Sequence, residues 1–123
     1  MKILIVEDEE VLLKVLIEKF EKDKFTVDSA VDGEKAMERV KASKPDLILL
    51  DIILPKKNGV EVLRDLKDDP ELKDIPVIII SNLGADEKIK EALALGAADY
   101  LVKTQHPINE VVERVRSWLL KAK

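Results

Sequence analysis

Five short apolar runs, each followed by a polar break and then an amphipathic stretch, set the rhythm of this chain. Residues 2–6 are largely apolar and β-branched and stop at Glu7-Asp8-Glu9-Glu10, which predicts a buried strand running into an acidic loop. The period then lengthens. Val11, Leu12, Val15, Leu16 and Phe20 share one face, with Lys14, Glu18, Lys19, Glu21 and Lys22 largely opposite, so a helix follows, its start capped by Asp8 or Glu9. Residues 25–29 alternate like an outer strand, Val31-Asp32-Gly33 supplies a turn, and residues 34–42 form a second helix with Ala36, Met37 and Val40 inward. Lys44-Pro45 stops it, because proline lacks a donor and steers its predecessor toward an extended conformation.

The third run, residues 47–50, is apolar without interruption, long enough for one strand buried on both faces and too short for a core helix. Asp51 therefore sits at a strand's carboxyl end. Pro55-Lys56-Lys57-Asn58-Gly59 reads as a solvated turn and helix entry, and Val60, Val62, Leu63 and Leu66 predict a short third helix ending at Asp68-Asp69-Pro70. Residues 75–80 form the next strand, with proline tolerated near its beginning and Ser81 at its end. Residues 86–95 form a fourth helix packing Ile89, Ala92 and Leu93, with Gly96 as its left-handed terminator. A last strand over 98–102 ends in Lys103, and Pro107 opens a final helix whose Ile108, Val111, Val112, Val115, Trp118 and Leu119 share a face. Five β-α units in succession predict an α/β fold, a parallel five-stranded sheet with helices on both faces.

Open doubly wound sheets bind ligands beyond the carboxyl ends of their strands, where the strand order reverses. Four of the five predicted strands end there in groups with ionic or hydrogen-bonding potential: Glu7 and Asp8, Asp51, Ser81 and Lys103. A strand order of 2-1-3-4-5 sets these ends side by side. Three carboxylates in one crevice repel, raising at least one pKa unless a cation stands among them. Oxygen ligands with no histidine or cysteine nearby favour magnesium. Lys103 adds a fixed positive charge and Ser81 a hydroxyl donor, a set suited to phosphoryl transfer onto an aspartate.

Composition narrows the classes. At 123 residues and 46% hydrophobic, the chain fits a single domain over residues 1–123 whose core needs no staples. Cysteine is absent, so there is neither a disulfide frame nor a thiolate site, in keeping with a cytoplasmic setting. A net charge of -4 with acids and bases interspersed offers no basic face for nucleic acid. The amino-terminal apolar run is shorter than a signal peptide requires, and no membrane span is expected. His106, the one histidine, reads as a solvated loop residue, and Trp118 as packing under the last helix or marking an interface.

The ordered set Glu7-Asp8, Asp51-x-x-x-Pro55-x-x-Asn58-Gly59, Ser81, Gly96-Ala-Ala-Asp-Tyr100 and Lys103 resembles the CheY-like receiver domains of two-component response regulators. Spacings of 30 residues from Asp51 to Ser81 and 22 from Ser81 to Lys103 agree with that family, and the likeness covers essentially the whole chain. It implies a flavodoxin-like three-layer sandwich. It also implies that Asp51 accepts a phosphoryl group from a histidine kinase, a phosphotransfer protein or a small donor such as acetyl phosphate. Asp8, Asp51 and the backbone carbonyl of Ile53 would hold Mg2+, with Glu7 acting directly or through water. Lys103 would pair with the phosphate, Ser81 would bond it, and Tyr100 would turn in behind, so that the fourth helix, last strand and last helix present a changed face to an effector protein. A monomer or a phosphorylation-dependent dimer is compatible with this. Because the chain ends with the fifth helix, any effector domain is expected to be separate or removed.

Three positions depart from the family pattern. Thr104 stands where proline usually follows the lysine in a cis peptide; a cis bond before a non-proline residue costs roughly 2.5–4 kcal/mol, so a trans bond is expected and Lys103 is open to a different placement. Glu7 replaces the commoner aspartate. Ile53 and Leu83, two residues after Asp51 and Ser81, are both apolar and unable to orient a hydrolytic water, which predicts a long-lived phosphoaspartate. A haloacid-dehalogenase-like phosphatase fits less well, since Ile53 stands where its general acid would be. A flavin carrier fits less well too, because Glu7 to Glu10 would repel a phosphate. The remaining alternative is a scaffold, natural or engineered, that keeps this fold and works without phosphate.

Overall fold

The computed structural model describes residues 1–82 and 86–121. The two continuous apolar runs have no polar face to turn toward water, and both become central strands: β3 (Leu47–Asp51) and β4 (Val77–Ser81) are buried along their whole length. With β1 (Lys2–Val6), β2 (Thr26–Ala30) and β5 (Asp99–Val102) they form one parallel sheet in the order β2-β1-β3-β4-β5. The helices α1 (Glu10–Lys22), α2 (Gly33–Ser43), α3 (Gly59–Asp68), α4 (Asp86–Ala94) and α5 (Ile108–Lys121) make the crossovers. Because side chains alternate along a strand, each strand feeds two cores. Leu4, Val6, Ile48, Leu50, Val77 and Ile79 pack under α2, α3 and α4, whereas Ile3, Ile5, Leu47, Leu49, Ile78 and Ile80 pack under α1 and α5. The expected three-layer α/β sandwich is present. No helix among the described residues is long and apolar enough to cross a membrane.

Local chemistry explains several helix ends. Asp32 accepts from Lys35 N–H at 2.8 Å and caps α2, while Lys44 closes that helix in a left-handed conformation. Asn58 and Glu61 satisfy each other's backbone donors in a capping box at the start of α3. Gly96 has the positive φ expected of a helix terminator.

The structure corrects the pattern in places. Glu9 occupies the N-cap position of α1 without a side-chain cap bond, and Asp8 lies outside the helix, so neither acts as a cap. Val11 is exposed and Leu13 is buried in its stead, while Leu16 and Phe20 stay inward as expected and Leu12 and Ile17 pack beside them. Leu93 is exposed, leaving Ile89 and Ala92 to anchor α4. The polar stretch after α3 continues as a turn that buries Leu72 in the core. Lys57 is no solvated turn residue, since it is half-buried and paired with Asp65 on α3. His106 is not simply solvated either: Val102 N–H donates to its Nδ1 at 2.9 Å. Trp118 is half-buried, its Nε1–H donating to Asp99 at 3.1 Å.

Candidate functional site

The carboxyl ends of β1, β3, β4 and β5 converge where the strand order reverses, between β1 and β3. Glu7 follows β1 and is fully buried, its N–H donating to Ala30 C=O at 3.0 Å. Asp51 closes β3, also buried. Ser81 closes β4, one residue beyond the strand partner of Asp51, and is buried as well. Lys103 follows β5, its N–H donating to Ser81 C=O at 2.7 Å, and its side chain runs back into the crevice. No described residue forms a cis peptide bond, so the Lys103–Thr104 bond is trans, and the lysine still reaches the acids.

At the centre lies a single ammonium among carboxylates. Lys103 Nζ donates to Asp51 Oδ2 at 2.9 Å, to Glu7 Oε2 at 3.1 Å and to Glu9 Oε1 at 3.3 Å. Glu7 Oε1 is also 2.8 Å from that nitrogen, so the ammonium lies against both oxygens of the Glu7 carboxylate. Glu9 N–H donates to Glu7 Oε2 at 3.0 Å, and Ile53 N–H to Asp51 Oδ1 at 3.3 Å. Glu7, Asp8 and Asp51 each bring a carboxylate oxygen within 4.8 Å of the others, with Asp8 exposed at the mouth.

This donor set fits a hard dication. It is all oxygen, and its three carboxylates carry more negative charge than one lysine balances. Burial raises the Glu7 carboxyl to about 7, against the pull of its hydrogen bonds to Lys103 and Glu9. Burial also raises Asp51, again opposed by Lys103. Burial works against the charge of Lys103 itself, yet its bonds to Glu7 and Asp51 outweigh it and hold the ammonium above its ordinary value.

These shifts fix the sign of a pH effect. Glu7 binds its proton more tightly folded than unfolded, so the stability that proton provides is complete below about 4.5 and gone above about 7. In metal-free buffer the denaturation midpoint should fall as pH rises through that window and then level off. Magnesium should restore it at the alkaline end, and Glu7→Gln should flatten the profile; a midpoint that rises through the same window in EDTA contradicts the assignment.

Two glycines hold the segment after Asp51. A Cβ on Gly59 would lie 2.4 Å from the Asp51 carbonyl oxygen, and one on Gly33 would lie 1.9 Å from that of Lys57. Gly59 N–H donates to Ile52 C=O at 2.7 Å. Both contacts need bare backbone, a requirement that the turn chemistry of Val31-Asp32-Gly33 and Asn58-Gly59 hints at without naming the partner.

Of the residues singled out from sequence, Glu7, Asp8, Asp51 and Lys103 are brought into one cluster, with Ser81 buried at its edge and its Oγ lacking a hydrogen-bond partner. Ile53 directs its backbone N–H at Asp51 and leaves its side chain exposed. Tyr100 lies on the edge strand β5 and is exposed, outside the cluster. Leu83 lies outside the described residues. Glu9 joins the cluster without having been foreseen; its place in the acidic run after β1 was the available signal.

A doubly wound parallel sheet with an acid crevice and a lysine at its topological switch point defines an α/β module suited to hold a cation and an anion side by side. A family model for the response regulator receiver domain matches residues 3–116. The chain belongs to that family, the phosphoacceptor domains of two-component signalling. It is 38% identical over 122 residues to the phosphate regulon transcriptional regulatory protein PhoB of Rhizobium meliloti (strain 1021), covering 99% of this chain and 53% of that protein. It is 40% identical over 119 residues to the response regulator PleD of Caulobacter vibrioides (strain NA1000 / CB15N), covering 94% and 25%. The chain thus spans about half or less of these curated relatives. The solved receiver domain of the Francisella response regulator 1452 superposes with a TM-score of 0.89 at 30% identity, over 99% of this chain and 98% of that one.

Proposed function

We propose that Asp51 is the phosphoacceptor of a magnesium-dependent signalling switch. The observation that carries this reading is the Lys103 ammonium 2.9 Å from Asp51 inside a cluster of buried acids, a fixed cation beside a carboxylate placed to become more anionic. Glu7, Asp8, Asp51 and the Ile53 carbonyl would hold Mg2+, which when bound neutralises charge on the transferring phosphoryl group. An Asp51 carboxylate oxygen attacks phosphorus, forming the P–O bond of an acyl phosphate as the P–N bond of a phosphohistidine, or the P–O bond of acetyl phosphate, breaks. Lys103 exchanges its bond to Asp51 for one to the new phosphate. Ser81, whose hydroxyl is buried and unpartnered, supplies a further donor and draws the end of β4 toward the phosphate. Tyr100, now outward, turns in behind it, and the α4-β5-α5 face shifts in population toward an effector-binding form.

The donor is a histidine kinase or phosphotransfer protein and the recipient an effector protein, in a cytoplasmic setting and without direct nucleic-acid contact by this domain; the domain works as a monomer or a phosphorylation-dependent dimer. Intact mass after incubation with acetyl phosphate and magnesium tests the chemistry. One phosphoryl adduct, lost in EDTA, is expected, and no adduct at all overturns the reading. Backbone NMR with beryllofluoride should move resonances of α4, β5 and α5 together; shifts confined to the site would leave the acceptor without its switch.

The exposed Ile53 side chain offers no hydrogen bond to a water attacking the acyl phosphate. Ile53→Asn should therefore speed loss of phosphate by roughly tenfold, about 1.4 kcal/mol of barrier. A wild-type decay as fast as the variant's would show that this side chain does not set the lifetime.

A further inference from the structure

Lys103 spends its third N–H bond outside the phosphoacceptor site proper, on Glu9. Glu9 differs from the other acids on that ammonium. Glu7 and Asp51 are buried, whereas the Glu9 side chain is 54% exposed at the rim, on the segment that enters α1. It occupies the N-cap position there but makes no cap bond; its carboxylate is turned to the lysine instead.

We infer that Glu9 is a positioning and donor-selecting residue, holding Lys103 toward α1 at rest and adding negative charge at the mouth that disfavours free, highly anionic phosphodonors. The inference rests on the phosphoacceptor role of Asp51. The charge count makes it concrete. Glu7, Glu9 and Asp51 pair with one ammonium and Asp8 lies within 4.8 Å of Glu7 and Asp51, so a dication together with that lysine balances three of the four charges. The fourth charge, at the exposed rim, meets an incoming anion first. A unit charge a few ångströms away in water changes the encounter by roughly fivefold for each unit on the ligand pair, and salt screens it. A dianion such as acetyl phosphate feels the charge twice as strongly as a monoanion such as phosphoramidate. A phosphohistidine within a docked protein approaches under that protein's own field and contacts, so the penalty falls chiefly on small free donors.

Glu9→Gln and Glu9→Asp separate the two roles. Glu9→Gln, which removes the charge, should raise the phosphorylation rate constant with acetyl phosphate several-fold more than with phosphoramidate, and the gain should shrink as salt is added. Glu9→Asp, which keeps the charge but shortens the reach, should leave the donor ratio near that of the wild type. In metal-free protein the Nζ protons of Lys103, followed by NMR, should exchange faster in both variants, because both lose the third bond. A donor ratio unchanged in Glu9→Gln, or a gain indifferent to salt, overturns the selecting role; unchanged proton exchange overturns the positioning role. A wild-type protein that takes no phosphoryl group from either donor would instead refute the acceptor reading, and the selecting role with it, while the exchange measurement still decides whether Glu9 holds the lysine.

Discussion

Asp51→Asn should accept no phosphoryl group from acetyl phosphate and, in metal-free buffer, should unfold at a higher denaturant concentration than the wild-type protein. The first result follows from chemistry, since a carboxamide oxygen is too poor a nucleophile to attack phosphorus. The second follows from crowding. Glu7 and Asp51 are both buried and share one ammonium, and burial raises both carboxyls. Removing one charge leaves Glu7 as the one buried carboxylate on Lys103, a gain on the order of 1 kcal/mol near neutral pH. The same change should weaken magnesium binding, so the order of stabilities should reverse once metal is added in excess. An asparagine variant that still forms the adduct would place the acceptor elsewhere, and one less stable than wild type without metal would mean that Asp51 is not strained in the resting site.

Lys103→Met should have the opposite effect on the same cluster. Methionine keeps most of the side-chain volume but removes the cation from beside Glu7 and Asp51, and breaking a buried ion pair on one side costs roughly 3–5 kcal/mol. The loss should be largest in metal-free buffer near neutral pH and should diminish on acidification, as the two acids take up protons, or on adding magnesium. A denaturation midpoint within experimental error of wild type in EDTA would show that solvent already compensates these charges. Combining Lys103→Met with Asp51→Asn should recover part of the lost stability, because the two changes act on one interaction.

The architecture was legible because its information is local and periodic. Uninterrupted apolar runs locate β3 to within a residue and β4 to within two, and the breaks after these and the last strand place Asp51, Ser81 and Lys103 at strand carboxyl ends. What failed was finer than a helical turn. Val11 and Leu13 differ little in hydrophobicity, so the pattern alone could not choose between them, and the rotation of α1 against β1 and β3 decided for Leu13. Leu93 lost its inner place for the same reason, Ile89 and Ala92 being enough to seat a short helix. The other omissions are pairings between different elements, beyond the reach of a local pattern: Lys57 with Asp65, Asp99 with Trp118, and above all Glu9 with Lys103, whose partner lies 94 residues away. Charged residues in an acidic run look alike until the fold selects one of them.

The bare backbone at Gly33 and Gly59 has a mechanical consequence. With the chain following Asp51 wedged against one helix entry by Lys57 and against the next by the aspartate's own carbonyl, the acceptor side of the crevice behaves as an anvil. On the phosphoacceptor reading proposed above, a bulky dianion on Asp51 would meet this fixed segment on one side, leaving the ends of β4 and β5 across the crevice as the side to yield.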